Sequence, residues 1–338
     1  MDDSAAASTT SSGPRDRLAA VRESAAWVCA EARHVKLNAE AVAALAGEVA
    51  AQAKDHPVLE GGAEGGVGWG EEIHFVSGSE AAVVQYLFVV DALNFCFWPS
   101  EGGWEYEDLS TALKRALEED AEVLSADRLA HMSEEALCRL LGGRALPNMP
   151  ARVEHLRQVG ACLQERWSGS AAAMVRACDG SAGRLVDMIV TSFPGFQDHL
   201  QYKGREVCFY KRAQILAGDI WGALKGKGLG AMHDVEQLTM FADYRVPQIL
   251  EARGVLEYSQ ALKKRIMDKE ELPQGGEEEV EIRAATVHAV EELKRVLRDA
   301  HSMNIMSIKI DWYLWEEGER QDRAGTLPPH HRTLTTFY

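Results

Sequence analysis

Residues 81–98, AAVVQYLFVVDALNFCFW, are the most apolar stretch of the chain. A membrane-spanning helix needs about 20 predominantly apolar residues. Here Gln85, Asp91 and Asn94 interrupt the run, so it reads as a buried core helix, and no membrane span is expected. Tyr86, Val89, Val90, Leu93 and Phe97 fall on one apolar side of that helix. Asp91, Asn94 and Trp98, spaced i, i+3, i+7, share another stripe.

Working outward, helical periodicity dominates. Asn38 is placed to cap a helix running to about Gln52, with Val42, Leu45, Ala46 and Val49 on one face. Further helices are expected over 110–117, 133–141, 152–167, 171–177, 182–193, 280–301 and 303–315. Gly142-Gly143 stops one of them and Pro194 another. Strand signals are few: residues 70–77, GEEIHFVS, have β character, and residues 104–106 are a possible partner. The expected fold is mainly α with a small β element. The segment 272–279, LPQGGEEE, is the best internal boundary, but the helices on either side read as parts of one body. One domain over 15–338 is expected, after a polar tail, 1–14, with nothing to bury and an expectation of disorder. That tail has Asp2 and Asp3 where a targeting peptide has basic residues, and no apolar segment follows.

The 338 residues carry a net charge of −16. Gripping a long polyanion relies on neutralising many phosphates with Lys and Arg. A stable nucleic-acid complex is therefore not expected, although two or three placed cations suffice for one phosphate. Hydrophobic residues make up 46%, enough for a substantial core. The six cysteines form no C-x-x-C pair and no Cys/His set with zinc-ligand spacing. They read as reduced structural thiols of a cytoplasmic protein.

Several segments carry polar residues where a core would not want them. Asp91 on a buried helix needs a partner, because an unpaired buried charge is costly. That partner is either a ligand with N–H donors or an arginine elsewhere in the chain. Tyr210, Lys211, Arg212 and Gln214 cluster at the start of a helix with a core stripe at Ala213, Leu216, Ile220 and Leu224. They read either as a cradle for one phosphate or as a solvated helix start. In residues 238–258, LTMFADYRVPQILEARGVLEY, Pro247 suits a first helical turn and Gly254 a C-terminal cap. Asp243 is then the N-cap, or lies a turn earlier with the helix starting at Pro247. In both registers nearby peptide N–H groups and the helix dipole favour its ionised form, as an oxocarbenium-like transition state requires. An ordinary capping Asp is the plainer reading. Residues 311–315, DWYLW, offer either core or a platform for stacking a base. Trp312 and Leu314 read as core, and Asp311 is the residue core packing does not explain.

Taken together, DALNFCFWP (91–99), SFPGF (192–196), FYKRAQILAGDIW (209–221), TMFADYRVPQILEARGVLEYS (239–259), EVEIRA (279–284), IDWYLWEEG (310–318) and HRTLTTFY (331–338) resemble the queuosine salvage proteins, the queuosine 5′-phosphate N-glycosidase family. The resemblance implies a helical fold like that of the helix-hairpin-helix DNA glycosylases. It implies release of queuine, a 7-deazaguanine base, from queuosine 5′-monophosphate, for reuse in tRNA modification. It implies no metal and no organic cofactor. Position 7 of such a base is carbon, so N7 protonation cannot assist departure, and catalysis must stabilise the ribosyl cation and orient water. Asp243, in the ADYR segment, is the candidate catalytic residue. Asp311 or Asp91 is placed to read the N–H edge of the base, with Asn94 assisting. Lys211, Arg212 and Arg245 are candidates for the 5′-phosphate, and Trp98, Tyr313 and Trp315 for stacking. A DNA-repair glycosylase and a non-catalytic queuine- or nucleotide-binding protein are the competing readings.

Overall fold

A computed structural model describes residues 16–60, 72–99 and 103–338. The expected disordered tail, 1–14, the Gly-rich segment 61–70 and the first two residues of the expected strand 70–77 lie outside the described residues. Helix α1 (Arg17–Glu31), strand β1 (Val35–Leu37), α2 (Ala39–Gln52) and α3 (Glu80–Leu93) come first. Then follow α4 (Tyr106–Glu119), α5 (Ala126–Ala130), α6 (Glu134–Leu140), α7 (Met149–Trp167), α8 (Ala171–Ala177) and α9 (Ala182–Ser192). A hairpin, β2 (His199–Tyr202) with β3 (Arg205–Cys208), leads into α10 (Lys211–Ala223). The order closes with α11 (Arg245–Ala252), β4 (Leu256–Tyr258), α12 (Gln260–Met267), α13 (Glu277–His301) and α14 (Ser307–Arg323). The protein is mainly helical, as the periodicity predicts.

Local chemistry accounts for many of these boundaries. Asn38 accepts from the amides of Glu40 and Ala41 and caps α2, whose buried face is Val42, Leu45, Ala46 and Val49; such a cap contributes about 1 kcal/mol. Helix α3 is buried almost all round, because α4, α7, α8 and α10 enclose it. The 25-residue α13 spans about 37 Å at 1.5 Å per residue. It packs against α1, α2, α11 and α14. Helix α10 packs against α3 and α9, and α9 packs against α1, which links the two groups.

The small β element is real but lies elsewhere than expected. Residues 72–79 contain no strand, and Tyr106 begins α4. The observed pairs are β1 with β4 and β2 with β3, both antiparallel. The second turns through Lys203-Gly204, with φ of 46° and 77°, the left-handed pair that a two-residue hairpin turn demands. Helix α14 starts at Ser307 and runs to Arg323, later at both ends than the expected 303–315. Among the described residues no helix is long and apolar enough to cross a membrane.

Candidate active site

The ends of α3, α4, α10 and α11 converge on one face of α14 and enclose a cavity of about 340 Å³. This is at the small end of the usual range for ligand sites. Each end delivers a polar group. Asn94, the C-cap of α3, lines the cavity; Lys211 and Asp219 come from α10, Asp243 precedes α11, and Asp311 lies on α14. Between them are Phe95, Phe97, Tyr106, Phe241, Tyr244, Trp312 and Trp315. The result is an aromatic chamber with three aspartates and one lysine, rimmed by Glu105, Glu107, Arg245, Glu316 and Glu319.

Asp243 sits two residues before the first residue of α11. Its Oδ1 accepts from the amides of Arg245 (2.9 Å) and Val246 (3.0 Å), which leaves Oδ2 for the cavity. This is close to the N-cap register and excludes the one beginning at Pro247. Burial raises its pKa even so, against the lowering by Lys211 and the two amides. The expectation that the helix start alone favours the ionised form therefore needs correcting: desolvation outweighs the amides. Asp311 accepts from the Phe241 amide at 3.0 Å. Burial, and next Asp243, hold its pKa well above the ordinary value. Burial raises both carboxyls, but more opposes it at Asp243 than at Asp311. Asp243, with two amides and the lysine, is the easier to ionise.

Lys211 is buried, and among the described residues its Nζ hydrogen-bonds the Asn94 carbonyl alone, at 3.5 Å. Burial lowers its pKa, and Asp243 is the largest opposing influence. Arg245 also lines the cavity, but its guanidinium is engaged by Glu319 at 2.6 Å, Asp322 at 3.0 Å and Gln248 at 2.6 Å.

Other predicted site residues are placed elsewhere. Arg212 does not reach the cavity. It donates to the carbonyls of Asp91 (3.0 Å) and Ala92 (2.8 Å) and to that of Gly195. Arg152 donates to the Leu93 carbonyl and to those of Phe95 (2.6 Å) and Cys96 (2.8 Å). Two buried guanidiniums thus satisfy carbonyls at and just beyond the end of α3, where a helix leaves four orphan acceptors and a partial negative charge. That work replaces the phosphate reading of Arg212. Gln214 is also structural, bonded to the Phe209 carbonyl and to both the amide and hydroxyl of Thr239. Tyr210 precedes α10 with φ of 49° and places its hydroxyl 3.2 Å from Cys208 Sγ and from Arg17.

Helix α3 ends at Leu93, so Trp98 leaves the predicted stripe. Its ring faces His330 and Arg332 instead of the cavity. Asp91 is fully buried behind Asn94, which donates to it at 3.4 Å. Burial pushes Asp91 up to about 7. In α14 the core and cavity faces are the reverse of the reading at two positions. Asp311, Trp312, Trp315, Glu316 and Glu319 line the cavity. Tyr313 points away, to Gln52 at 3.1 Å and against His56. Residues i, i+1, i+4, i+5 and i+8 share a helix face, and i+2 does not.

Sequence reasoning missed Asp219, although Lys211, Ile215 and Asp219 lie at i, i+4, i+8 and all three line the cavity. That spacing was readable. It also missed Arg283, which orders the site from outside. Arg283 binds Asp198 through two bonds of 2.9 and 2.6 Å, and its Nε donates to the Ala242 carbonyl at 3.1 Å. Asp198 in turn accepts from the Lys211 amide at 3.1 Å. One buried ion pair therefore fixes the backbone at both Lys211 and the residue before Asp243.

Among the described residues, His34, Glu277 and Glu281 are grouped closely enough to hold a metal ion. Glu281 already accepts from the amides of Arg33, His34 and Val35 and from the Tyr202 hydroxyl. Its oxygens hold the entry to β1, outside the cavity.

Residues 73–338 match the family model described as queuosine salvage protein. A protein of Dictyostelium discoideum named queuosine 5′-phosphate N-glycosylase/hydrolase is 42% identical over 329 residues, covering 95% of this chain and 99% of the relative. Relatives of the same name from Sphaerobacter thermophilus and Bos taurus are 40% and 33% identical. Each of those alignments covers 96% of this chain, with 99% and 100% of the relatives.

Proposed function

The chain belongs to the queuosine salvage protein family, and on that premise we propose that it hydrolyses the N-glycosidic bond of queuosine 5′-phosphate and releases queuine for reuse in tRNA modification. The observation that carries the reading for this chain is Asp243. Its Oδ1 is anchored by two helix-start amides, and its other oxygen is left to the aromatic-lined cavity. A carboxylate so placed stabilises positive charge as it develops on the ribosyl ring. Such preorganised groups are worth far more in a low-dielectric site than in water. It also orients the water that completes the displacement.

The roles of the other groups follow from what each has free. Asp311, one oxygen tied to the Phe241 amide, is the carboxyl left to meet the N–H edge of the base, since Asp91 is screened by Asn94. Lys211 helps keep Asp243 anionic and is the least committed cation for a phosphate. Trp315 and Trp312 offer aromatic faces to the base. We place the protein in the cytoplasm, a reading supported by six cysteines that are all free thiols. Its partner is the small nucleotide, since a net charge of −16 disfavours a stable nucleic-acid complex.

The test is incubation of the purified protein with queuosine 5′-monophosphate and with queuosine, detecting queuine by liquid chromatography and mass spectrometry. Release from the monophosphate is expected, with a loss of more than tenfold in Asp243→Asn, equivalent to about 1.4 kcal/mol of barrier. No release from either substrate would overturn the activity. Turnover of the variant within tenfold of the parent would overturn the role of Asp243.

A further inference from the structure

The three aspartates that line the cavity differ in how much of their bonding capacity the protein has already used. Asp243 is held by two amides and Asp311 by one. Asp219 accepts no hydrogen bond from any described residue. It is only 5% exposed, and what remains exposed faces the cavity. Its charged neighbours are Asp91, Asp311 and the single cation Lys211. Burying an acid without a partner is costly, and two further acids nearby make ionisation harder still. Lys211 cannot compensate for all of them. The pocket therefore carries an unmet demand for one positive charge, located at Asp219.

We propose that Asp219 is the specificity-determining residue for a cationic amine on the substrate base. This rests on the proposed function. Queuine differs from plain 7-deazaguanine in the secondary amine of its 7-aminomethyl side chain, which is protonated at neutral pH. The guanine-like edge offers only neutral N–H donors, which one carboxyl such as Asp311 already suits. A neutral donor does not offset the repulsion between Asp219 and its acidic neighbours; an ammonium group does. Without the amine, burial and then Asp91 hold the Asp219 carboxyl toward its protonated form. When the ammonium docks, the carboxyl ionises, its proton passes to solvent, and an ion pair forms out of reach of bulk water. Recognition of the amine is then electrostatic, and it falls on a residue that has no other bond to make.

The test compares two substrates that differ only at the side chain: queuosine 5′-phosphate and 7-deazaguanosine 5′-phosphate. Release of free base is measured for the parent protein and for Asp219→Asn, which keeps the shape and removes the charge. The parent is expected to prefer queuosine 5′-phosphate in kcat/KM. The variant is expected to lose tenfold or more on that substrate and less than threefold on the one without the amine. Equal losses on both, or no loss on either, would overturn the proposal. A folding defect in the variant does not leave the question open, because calorimetry of the parent protein supplies a second reading. Queuine binding should release protons in buffers of different ionisation enthalpy, and 7-deazaguanine binding should not; equal proton release by the two bases would overturn the proposal. Parent protein that releases base from neither substrate would instead refute the activity itself.

Discussion

Replacing Arg283 by Met should cost the protein about 4 kcal/mol of folding stability. The guanidinium makes two bonds of 2.9 and 2.6 Å to Asp198, and both side chains are at most 2% exposed. Removing one partner of a buried ion pair leaves the other charge uncompensated and costs about 3 to 5 kcal/mol. The lost bond from Nε to the Ala242 carbonyl adds about 1 kcal/mol. Methionine returns part of this by filling the slot between Phe209 and Tyr338, whose ring centres lie 4.0 and 4.3 Å from the guanidinium carbon. Against a typical total of about 5 to 15 kcal/mol, the variant should be folded but fragile. Urea unfolding followed by circular dichroism measures this, as a lower midpoint at unchanged slope. The double variant Arg283→Met with Asp198→Leu should recover part of the loss, because Asp198 is no longer left buried without its cation, although Glu279, 3.6 Å from the guanidinium, still loses its partner. Recovery should be incomplete, since Asp198 also accepts the Lys211 amide. A loss below about 1 kcal/mol in the single variant, or a double variant no more stable than the single, would refute the pair's role in ordering the site.

Gly195→Ala should lower Tm by a few degrees in a thermal scan. The new Cβ would lie 2.8 Å from the His155 ring, which is wedged between Arg212 and Phe95, and such overpacking costs about 1 to 3 kcal/mol. An unchanged Tm would show that the ring moves freely. Asp91 links stability to pH. Its folded pKa, pushed by burial up to about 7 from 3.8, lies above the unfolded value. Its contribution is therefore complete below about pH 4 and is lost as pH rises through about 7. Asp91→Asn should gain Tm relative to the parent between pH 5 and pH 8, and parallel Tm curves would refute the burial argument.

The one-dimensional pattern determined most of the helical framework. Asn38, Ser133, Ser170 and Ser181 all cap helices that periodicity had located, because capping and amphipathicity depend on residues within a few positions of each other. The motif segments 91–99, 209–221, 239–259 and 310–318 likewise marked the parts of the chain that meet at the cavity. Which side chain within each segment faces inward was another matter. Arg212 and Lys211 are adjacent and chemically alike, yet one is spent on carbonyls at the end of α3 and the other lines the cavity. Trp312 and Tyr313 differ by one position and point to opposite sides of α14. The acids diverge for the same reason: burial, not local sequence, set the direction of the pKa shifts at Asp91, Asp243 and Asp311. Sequence by itself therefore determined most of the helices, the segments that hold the chemistry and the family, but not where the strands lie. Only the tertiary structure decided which charges are already paired, because a partner such as Asp198 for Arg283 lies 85 residues away. No periodicity within a helix or strand encodes a contact across that distance.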